Sequence, residues 1–195
     1  MVNSDLSIIR TSAKCALIGS RKIPDRIRKR QIYYGRKLSE SGILGYSGGA
    51  DGSDTAFLAN YNPELIRIIL PHNGFNKLYC NGKTIFDGHQ LDHNKCDLEL
   101  NRIGFHEDDL YELPEYIYKF FSRNTAQIRT ETQSDLVDFV LYYAPEKNSL
   151  VSGGTRIAVY LARTYGIPCF NMYYPDMLAS LDSFFDYPVP NTLDI

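Results

Sequence analysis

The chain of 195 residues contains no tryptophan and only four cysteines, and its 21 basic and 23 acidic side chains almost balance. The cysteines do not form a disulfide framework, and Cys15 and Cys169 lie in apolar runs, where a reduced thiol behaves as a small hydrophobic side chain. No apolar run approaches the ~20 residues that span a bilayer. Residues 1–14 also lack the apolar core of a signal peptide. We therefore expect a cytoplasmic protein with no membrane partner.

The charge balance argues against nucleic acid as a general partner. The formal net charge is −2 and the sequence pI is about 6.1, so the whole molecule does not attract a polyanion. Basic residues cluster in segment 21–30, followed by Arg36 and Lys37. This cluster predicts a solvated helix face, and it is also the best candidate for a local nucleic-acid contact.

Apolar runs alternate with segments of helical periodicity along most of the chain. The predicted strands are residues 14–18, 43–46, 65–70, 136–143 and 167–172. The predicted helices are residues 25–41, 54–61, 110–131 in two pieces around Pro114, and 152–165. The alternation predicts an α/β fold, Rossmann-like and doubly wound. Its mainly parallel sheet has about five or more strands, with helices on both faces.

The length predicts one domain over residues 1–195. Residues 72–110 interrupt the alternation, because they are polar and contain Asn73-Gly74, Asn81-Gly82 and Asp87-Gly88. Such turn-forming pairs predict a loop or small hairpin inserted after the third strand, and this insertion is a candidate lid. The C-terminal tail, residues 174–195, is predicted to hold at most one short helix.

Three glycine-containing turns each follow a predicted strand and open a predicted helix. A glycine turn lets the backbone approach a ligand, and the helix dipole adds positive charge to the exposed N–H groups. Three such turns predict one anionic ligand, a nucleotide, at the C-terminal edge of the sheet. Ser152 is also expected to cap its helix. The candidate residues are Gly19, Ser20, Arg21, Ser47, Gly48, Gly49, Asp51, Asp54, Ser152, Gly153, Gly154 and Thr155.

Other polar residues admit more than one interpretation. Asp51 and Asp54 could accept hydrogen bonds from ribose hydroxyls, or Asp54 could only tie its loop to the helix. Arg123 and Asn124 could hold a phosphate from across the crevice, or Arg123 could pair with an acidic neighbour such as Glu131. The spacing of Cys80, His89, His93 and Cys96 fits no standard zinc finger, and we predict neither a metal site nor a cofactor.

The order and spacing of these motifs resemble the SLOG superfamily, which includes DprA, the YspA/YpsA-related proteins and the LOG hydrolases. Residues 16–21, Ala-Leu-Ile-Gly-Ser-Arg, are similar to its "V-G-S-R" opening. Residues 47–54 resemble "S-G-x-A-x-G-x-D", and Arg123-Asn124 stands where the family has "R-N-R". Residues 152–155 are similar to its later phosphate turn, and residues 166–168 to its "G-x-P". The resemblance covers residues 14–71 and 115–173 and implies nucleotide binding and, as often in this superfamily, a homodimer.

Two departures from the family patterns leave three functions open. The catalytic glutamate that follows the glycine turn in LOG hydrolases is absent here, and Thr125 replaces the second arginine of "R-N-R". The first hypothesis is a sensor or sequestering protein that binds a nucleotide-derived phosphorylated molecule, with base and ribose over segment 47–54. The second is an N-glycosidic hydrolase acting on a nucleoside phosphate or ADP-ribose-like molecule, with Asp51, Asp54 or Glu131 as its acid or base. The third is DprA-like binding of single-stranded DNA.

Overall fold

The computed structural model describes residues 5–188, except for the side chain of residue 107. Its α-helices are α1 Ile8–Thr11, α2 Asp25–Glu40, α3 Ser53–Leu58, α4 His93–Arg102, α5 Glu107–Glu112, α6 Glu115–Arg129, α7 Thr155–Thr164 and α8 Pro175–Phe184. Its strands are β1 Lys14–Gly19, β2 Leu44–Ser47, β3 Ile66–Leu70, β4 Ile85–Asp87, β5 Phe139–Tyr143, β6 Glu146–Lys147, β7 Leu150–Val151 and β8 Cys169–Asn171.

Six strands form one sheet in the order β4-β3-β2-β1-β5-β8, and every neighbouring pair is parallel. The chain builds the sheet outward from β1 in one direction and then returns to the other side of β1 with β5. The winding therefore reverses between β1 and β5. In sheets of this kind, ligands bind at the carboxyl ends of the strands beside that point. The predicted Rossmann-like, doubly wound α/β fold is confirmed.

A hydrophobic core lies on each face of the sheet, and strand β1 contributes side chains to both, because successive side chains of a strand point to opposite faces. Cys15 and Leu17 pack with residues of α2, α3 and α8 on one face. Ala16 and Ile18 pack with residues of α4, α6 and α7 on the other. Helices α2 and α4 consequently lie on opposite faces. Within residues 5–188, no helix combines the length and apolar character needed to cross a membrane.

Segment 72–110 is the largest departure from the predicted elements. It was expected to be a loop or small hairpin, and that prediction was wrong. The segment contributes the edge strand β4 and the helices α4 and α5. Pairing of β4 with β3 gives this short strand a place in the sheet, and burial of Cys96 and Leu100 stabilises α4 despite its polar sequence. Tertiary packing has overridden a weak local pattern.

The predicted break at Pro114 and the short tail helix were correct, since α5 and α6 flank Pro114 and α8 occupies the tail. The part of the tail after residue 188 lies outside the described residues. Residues 144–151, which lie between a predicted strand and a predicted helix, contain the antiparallel hairpin of β6 and β7. This hairpin ends immediately before the third glycine turn and therefore determines where that turn lies.

Candidate functional site

A cleft of about 670 Å³ lies beside the carboxyl ends of β1 and β5. It is lined on one side by the first and third glycine turns and on the other by α6. The structure brings most of the predicted site residues to this cleft: Gly19, Ser20, Arg21, Asp54, Arg123, Asn124, Ser152, Gly153, Gly154 and Thr155. Ser47, Gly48, Gly49, Asp51 and Glu131 are not among its lining residues.

The first turn, residues 19–21, brings the Arg21 side chain to the cleft. Gly19 has φ +153°, and a Cβ there would lie 2.5 Å from Ser53 Oγ and from the Tyr143 carbonyl. The backbone of Ser20 is already engaged, because its N–H donates to Tyr143 O at 2.8 Å and its carbonyl accepts from Ser53 N at 3.1 Å. The exposed guanidinium of Arg21 lies over the ring of Phe120, 5.5 Å from its centroid. Arg21 is therefore the group of this turn that can meet an anion.

The second turn, residues 47–54, is held mainly by contacts within the protein. Ser47 is buried and its hydroxyl donates to Leu17 O at 2.8 Å. The Asp54 carboxylate accepts from the N–H groups of Gly48 at 3.1 Å and Ala50 at 3.3 Å. Asp51 is exposed and accepts from Asn76 Nδ2 at 3.1 Å. Asp54 therefore ties the loop to the start of α3 through its hydrogen bonds, as the second interpretation of this residue proposes.

Asp54 and Arg123 form a buried ion pair at the base of the cleft. Arg123 Nη1 lies 3.6 Å from Asp54 Oδ2, and the two residues are 6% and 3% exposed. Burial raises the pKa of the Asp54 carboxyl and lowers the pKa of Arg123, while each partner opposes the shift of the other. With its amide oxygen turned toward Arg123, Gln127 accepts from Nη1 at 2.9 Å. Within the described residues, the buried Nε of Arg123 has no hydrogen-bond partner.

Glu131, the acidic neighbour considered for Arg123, pairs elsewhere. Its carboxylate accepts from the Tyr46 hydroxyl at 2.8 Å and lies 3.6 Å from Arg67 Nε. Burial and the neighbouring Glu131 raise the pKa of the Tyr46 hydroxyl. Arg123 pairs with Asp54 instead, so the alternative of an ion pair with an acidic residue describes Arg123, but the partner differs from Glu131, the example considered. Glu131 is close to Arg123 in sequence, but it lies beyond the end of α6 at Arg129. Its carboxylate contacts Tyr46 and Arg67 instead.

The third turn lines the cleft with residues at the start of α7, of which Ser152, Gly153 and Gly154 are exposed. Gly153 has φ +74°, and Gly154 is the residue from which α7 begins. Asn124 Nδ2 donates to Gly154 O at 3.1 Å and so holds the turn against α6. Ser152 does not cap α7 as expected; its N–H instead donates to Pro145 O at 3.0 Å. Among residues 5–188, no acceptor is found for the N–H groups of Gly153, Gly154 and Thr155.

An aromatic wall on α6 faces these turns, and the sequence reasoning missed it. Tyr116, Ile117, Phe120 and Phe121 all line the cleft. Their i, i+1, i+4, i+5 spacing puts them along one side of the helix. Phe120 also contacts Phe75 edge-on, with ring centroids 5.5 Å apart. The signal that could have revealed the wall is this spacing immediately before Arg123-Asn124.

Glu146 fixes the hairpin that carries the third turn. Its carboxylate accepts from Arg163 Nη2 at 2.7 Å, Asn171 Nδ2 at 3.0 Å and the Tyr142 hydroxyl at 3.1 Å. These contacts join the hairpin to α7, β8 and β5. Burial alone would raise the pKa of Glu146, but the hydrogen bonds and the Arg163 charge bring it below the ordinary value of 4.5.

Replacing Glu146 with glutamine should reduce stability at neutral pH and flatten its acid dependence. A carboxyl group whose pKa is lowered by folding stabilises the protein above its unfolded pKa, and this contribution is lost as pH falls through the folded value. We expect Glu146→Gln to lower the free energy of unfolding by about 1–2 kcal/mol near pH 7, with a smaller difference near pH 3. Urea unfolding at both pH values measures this difference. An equal loss at both would contradict the assignment.

The metal interpretation of the cysteine and histidine residues gains no support from their positions. Cys96 is buried, with its thiol beside Gln133 Nε2 at 3.2 Å. His93 lies against Tyr118, with ring centroids 5.5 Å apart. In the described part of the chain, no group of three or more His, Cys, Asp or Glu side chains is arranged to hold a metal ion.

Comparison with known proteins adds one likeness in sequence and one in fold. No protein-family model matches the chain. It is 28% identical over 131 residues to the inactive lipoate–protein ligase 2 of Plasmodium falciparum (isolate 3D7). That match covers 59% of this chain, and the chain spans only 32% of the curated relative. The fold is similar to that of DNA processing protein A from Helicobacter pylori, solved for its single-stranded DNA binding mode. The TM-score is 0.54 at 17% identity, covering 94% of this chain and 85% of that one.

Proposed function

We propose that this protein binds a nucleotide or nucleotide-derived phosphorylated molecule in the cleft between the glycine turns and α6. The observation that carries the proposal is the row of N–H groups at Gly153, Gly154 and Thr155, which have no acceptor among the described residues and belong to a turn that lines the cleft together with the aromatic wall. The motif order and the fold likeness support membership of the SLOG superfamily as part of the same proposal.

The phosphate is proposed to lie at the third turn. The N-terminus of α7 concentrates helix-dipole charge there, and its N–H groups that lack an acceptor within residues 5–188 are donors suited to phosphate oxygens. Arg21, in the first turn on the same side of the cleft, supplies a cation whose planar guanidinium suits an oxyanion. The buried Nε of Arg123, which lacks a partner among the described residues, adds a donor at the base of the cleft.

The base is proposed to stack against Phe120, not over segment 47–54 as the sequence suggested. That segment uses its polar groups internally, through Ser47 and Asp54. Phe120 instead offers a half-buried ring at the cleft surface, with the guanidinium carbons of Arg21 and Arg123 5.5 and 5.7 Å from its centroid, and a stacked base would take the place of the exposed Arg21 side chain. Stacking on aromatic rings suits any base, because every base has a π face.

Binding without cleavage is the better-supported chemistry. Among the described residues that line the cleft, Asp54 carries the one carboxylate. It already accepts two N–H groups and pairs with Arg123. A general acid or base must exchange a proton with the substrate, and a carboxylate engaged in this way is poorly placed to do so. The hydrolase alternative therefore has less support than a sensor or sequestering protein.

Single-stranded DNA is the second candidate ligand. The observation that favours it is the fold likeness to DNA processing protein A over 94% of this chain. The cleft is rimmed by Arg21 and Lys22, and the exposed Arg26, Arg28 and Lys29 follow on α2. A strand with one nucleotide in the cleft could continue along this basic edge. Such binding should weaken steeply with salt, whereas a single nucleotide should respond less.

We also propose that segment 72–110 closes over the bound ligand. Phe75 packs on the same Phe120 ring that faces the cleft. Asn76 donates to the Gly49 carbonyl at 3.1 Å and so attaches the segment to the second turn. The segment is therefore in contact with the aromatic wall and the second turn.

A ligand screen with a matched pair of glycine variants tests the proposal. We expect a nucleotide to raise the melting temperature of the wild type and to be recovered intact by mass spectrometry. Gly153→Ala should abolish that rise, because φ +74° is strained for alanine and the turn must shift. Gly42→Ala carries the same strain at φ +76° in an exposed turn away from the cleft, and should keep the rise. Recovery of a free base and sugar phosphate would instead support the hydrolase.

A further inference from the structure

A groove of about 570 Å³ lies between α4, α5 and the start of α6. Its lining includes Leu98, Leu110 and Leu113 together with the carboxylates of Asp97 and Glu115. Leu98 and Tyr111 are 54% and 82% exposed, which is unusual for side chains of this size. Exposed apolar surface edged by polar groups is typical of an interaction site.

The charges that α5 places at the edge of the groove are negative, whereas Glu115 at the other edge is paired with Lys119. Helix α5 adds the exposed Asp108, Asp109 and Glu112, and none of these makes an ion pair within residues 5–188. A surface with unpaired carboxylates around apolar side chains is complementary to a basic helix. Lysine and arginine stems can cover apolar surface while their charged ends reach the rim.

The same chain carries such a helix. Arg26, Arg28 and Lys29 of α2 are exposed and likewise make no ion pair in the described part of the chain. The nearly neutral net charge of −2 thus conceals one acidic and one basic surface. An arginine of α2 could also lie on the exposed Tyr111 ring, since cations are attracted to aromatic faces.

We propose that the α4–α5 groove binds the basic surface of α2 of a second copy of this chain. The two surfaces lie on opposite faces of the central sheet, because α2 packs with Leu17 and α4 packs with Ile18. A copy bound through its α2 therefore leaves its own groove open. The contact is heterologous, and it extends head to tail from one copy to the next.

Two double charge reversals test this interface. Asp108→Lys/Glu112→Lys removes the acidic surface and keeps α2, whereas Arg28→Glu/Lys29→Glu does the reverse. We expect the wild type to gain mass with concentration in sedimentation equilibrium at about 0.05 M salt, and its association constant to fall about tenfold or more at about 0.5 M. Each variant alone should stay at the monomer mass of 22.3 kDa. An equimolar mixture should associate again, because the unchanged α2 of one variant meets the unchanged groove of the other, and the two reversed surfaces are also opposite in charge.

Controls separate this interface from general charge effects and from the nucleotide site. Glu64→Lys/Asp176→Lys makes the same charge change at exposed positions outside the groove and should associate like the wild type. Tyr111→Ala should weaken association about fivefold or more without changing charge. Circular dichroism verifies the fold of each variant. A wild type that stays monomeric, an acidic-surface variant that still self-associates, or a mixture that does not associate would each overturn the proposal.

Discussion

Replacing Asp54 with alanine is expected to lower the free energy of unfolding by about 3–5 kcal/mol, because it leaves the buried Arg123 guanidinium without its counterion. The same change leaves the N–H groups of Gly48 and Ala50 without the acceptor that they have now. Asp54→Asn should lose less, since its amide oxygen can still accept one of them. Chemical denaturation of the three proteins measures the differences.

The matched control is Asp51→Ala in the same loop. Asp51 is exposed, and its contact is with Asn76 at 3.1 Å, so we expect a change within about 0.5 kcal/mol. Combining Asp54→Leu with Arg123→Met should recover part of the loss, because the charge that needed a partner is gone. If Asp54→Ala proved as stable as the wild type, Asp54 would not serve as the structural partner of Arg123. A ligand or catalytic role would then regain support.

Arg21→Ala should reduce nucleotide affinity about tenfold or more, and Phe120→Ala by about ten- to a hundredfold. The first variant removes a charge-assisted contact to phosphate, and the second removes the ring on which the base is proposed to stack. Both residues line the cleft, and the guanidinium carbon of Arg21 lies 5.5 Å from the centroid of the Phe120 ring. Their effects should therefore not be additive, and calorimetric titration of the single and double variants measures the coupling.

Salt dependence and a neighbouring lysine serve as controls for these variants. Lys22 also lines the cleft, so Lys22→Ala should lower nucleotide affinity by less than Arg21→Ala. For an oligonucleotide, Lys22→Ala should instead reduce the salt slope by roughly one, as expected when one phosphate contact is lost. Unchanged nucleotide affinity in Phe120→Ala would contradict stacking on the α6 wall.

Local patterns in the sequence predicted the centre of the fold well. The run from Cys15 to Ile18 is buried on both sides, and such a strand reads as continuous hydrophobic sequence. Gly19 marks the turn after this strand in the sequence. The structure requires glycine there, because a Cβ at this position has no room. The alternation of strands and helices predicts a doubly wound parallel sheet, and the structure adds that the winding reverses between β1 and β5. These features depend on neighbouring residues, which sequence patterns report directly.

Long-range pairings limited what the sequence could predict. Asp54 and Arg123 are far apart in the chain, and nothing local distinguishes Asp54 from Glu131 as the partner of Arg123. Strand β4 is short, and it forms because its backbone pairs with β3 at the edge of the sheet. The aromatic wall was recognisable as a helix face, but only the fold shows that this face meets the third turn. In each case the missing information is a tertiary contact.

The most direct test of phosphate binding at the third turn is an amide NMR titration with the best nucleotide from the screen. We predict that the largest chemical-shift changes fall on the N–H groups of Gly153, Gly154 and Thr155, because these donors have no acceptor within the described residues. Smaller changes should follow at Arg21 and Phe120. Changes concentrated on the α4–α5 groove, with the third turn unaffected, would contradict the account.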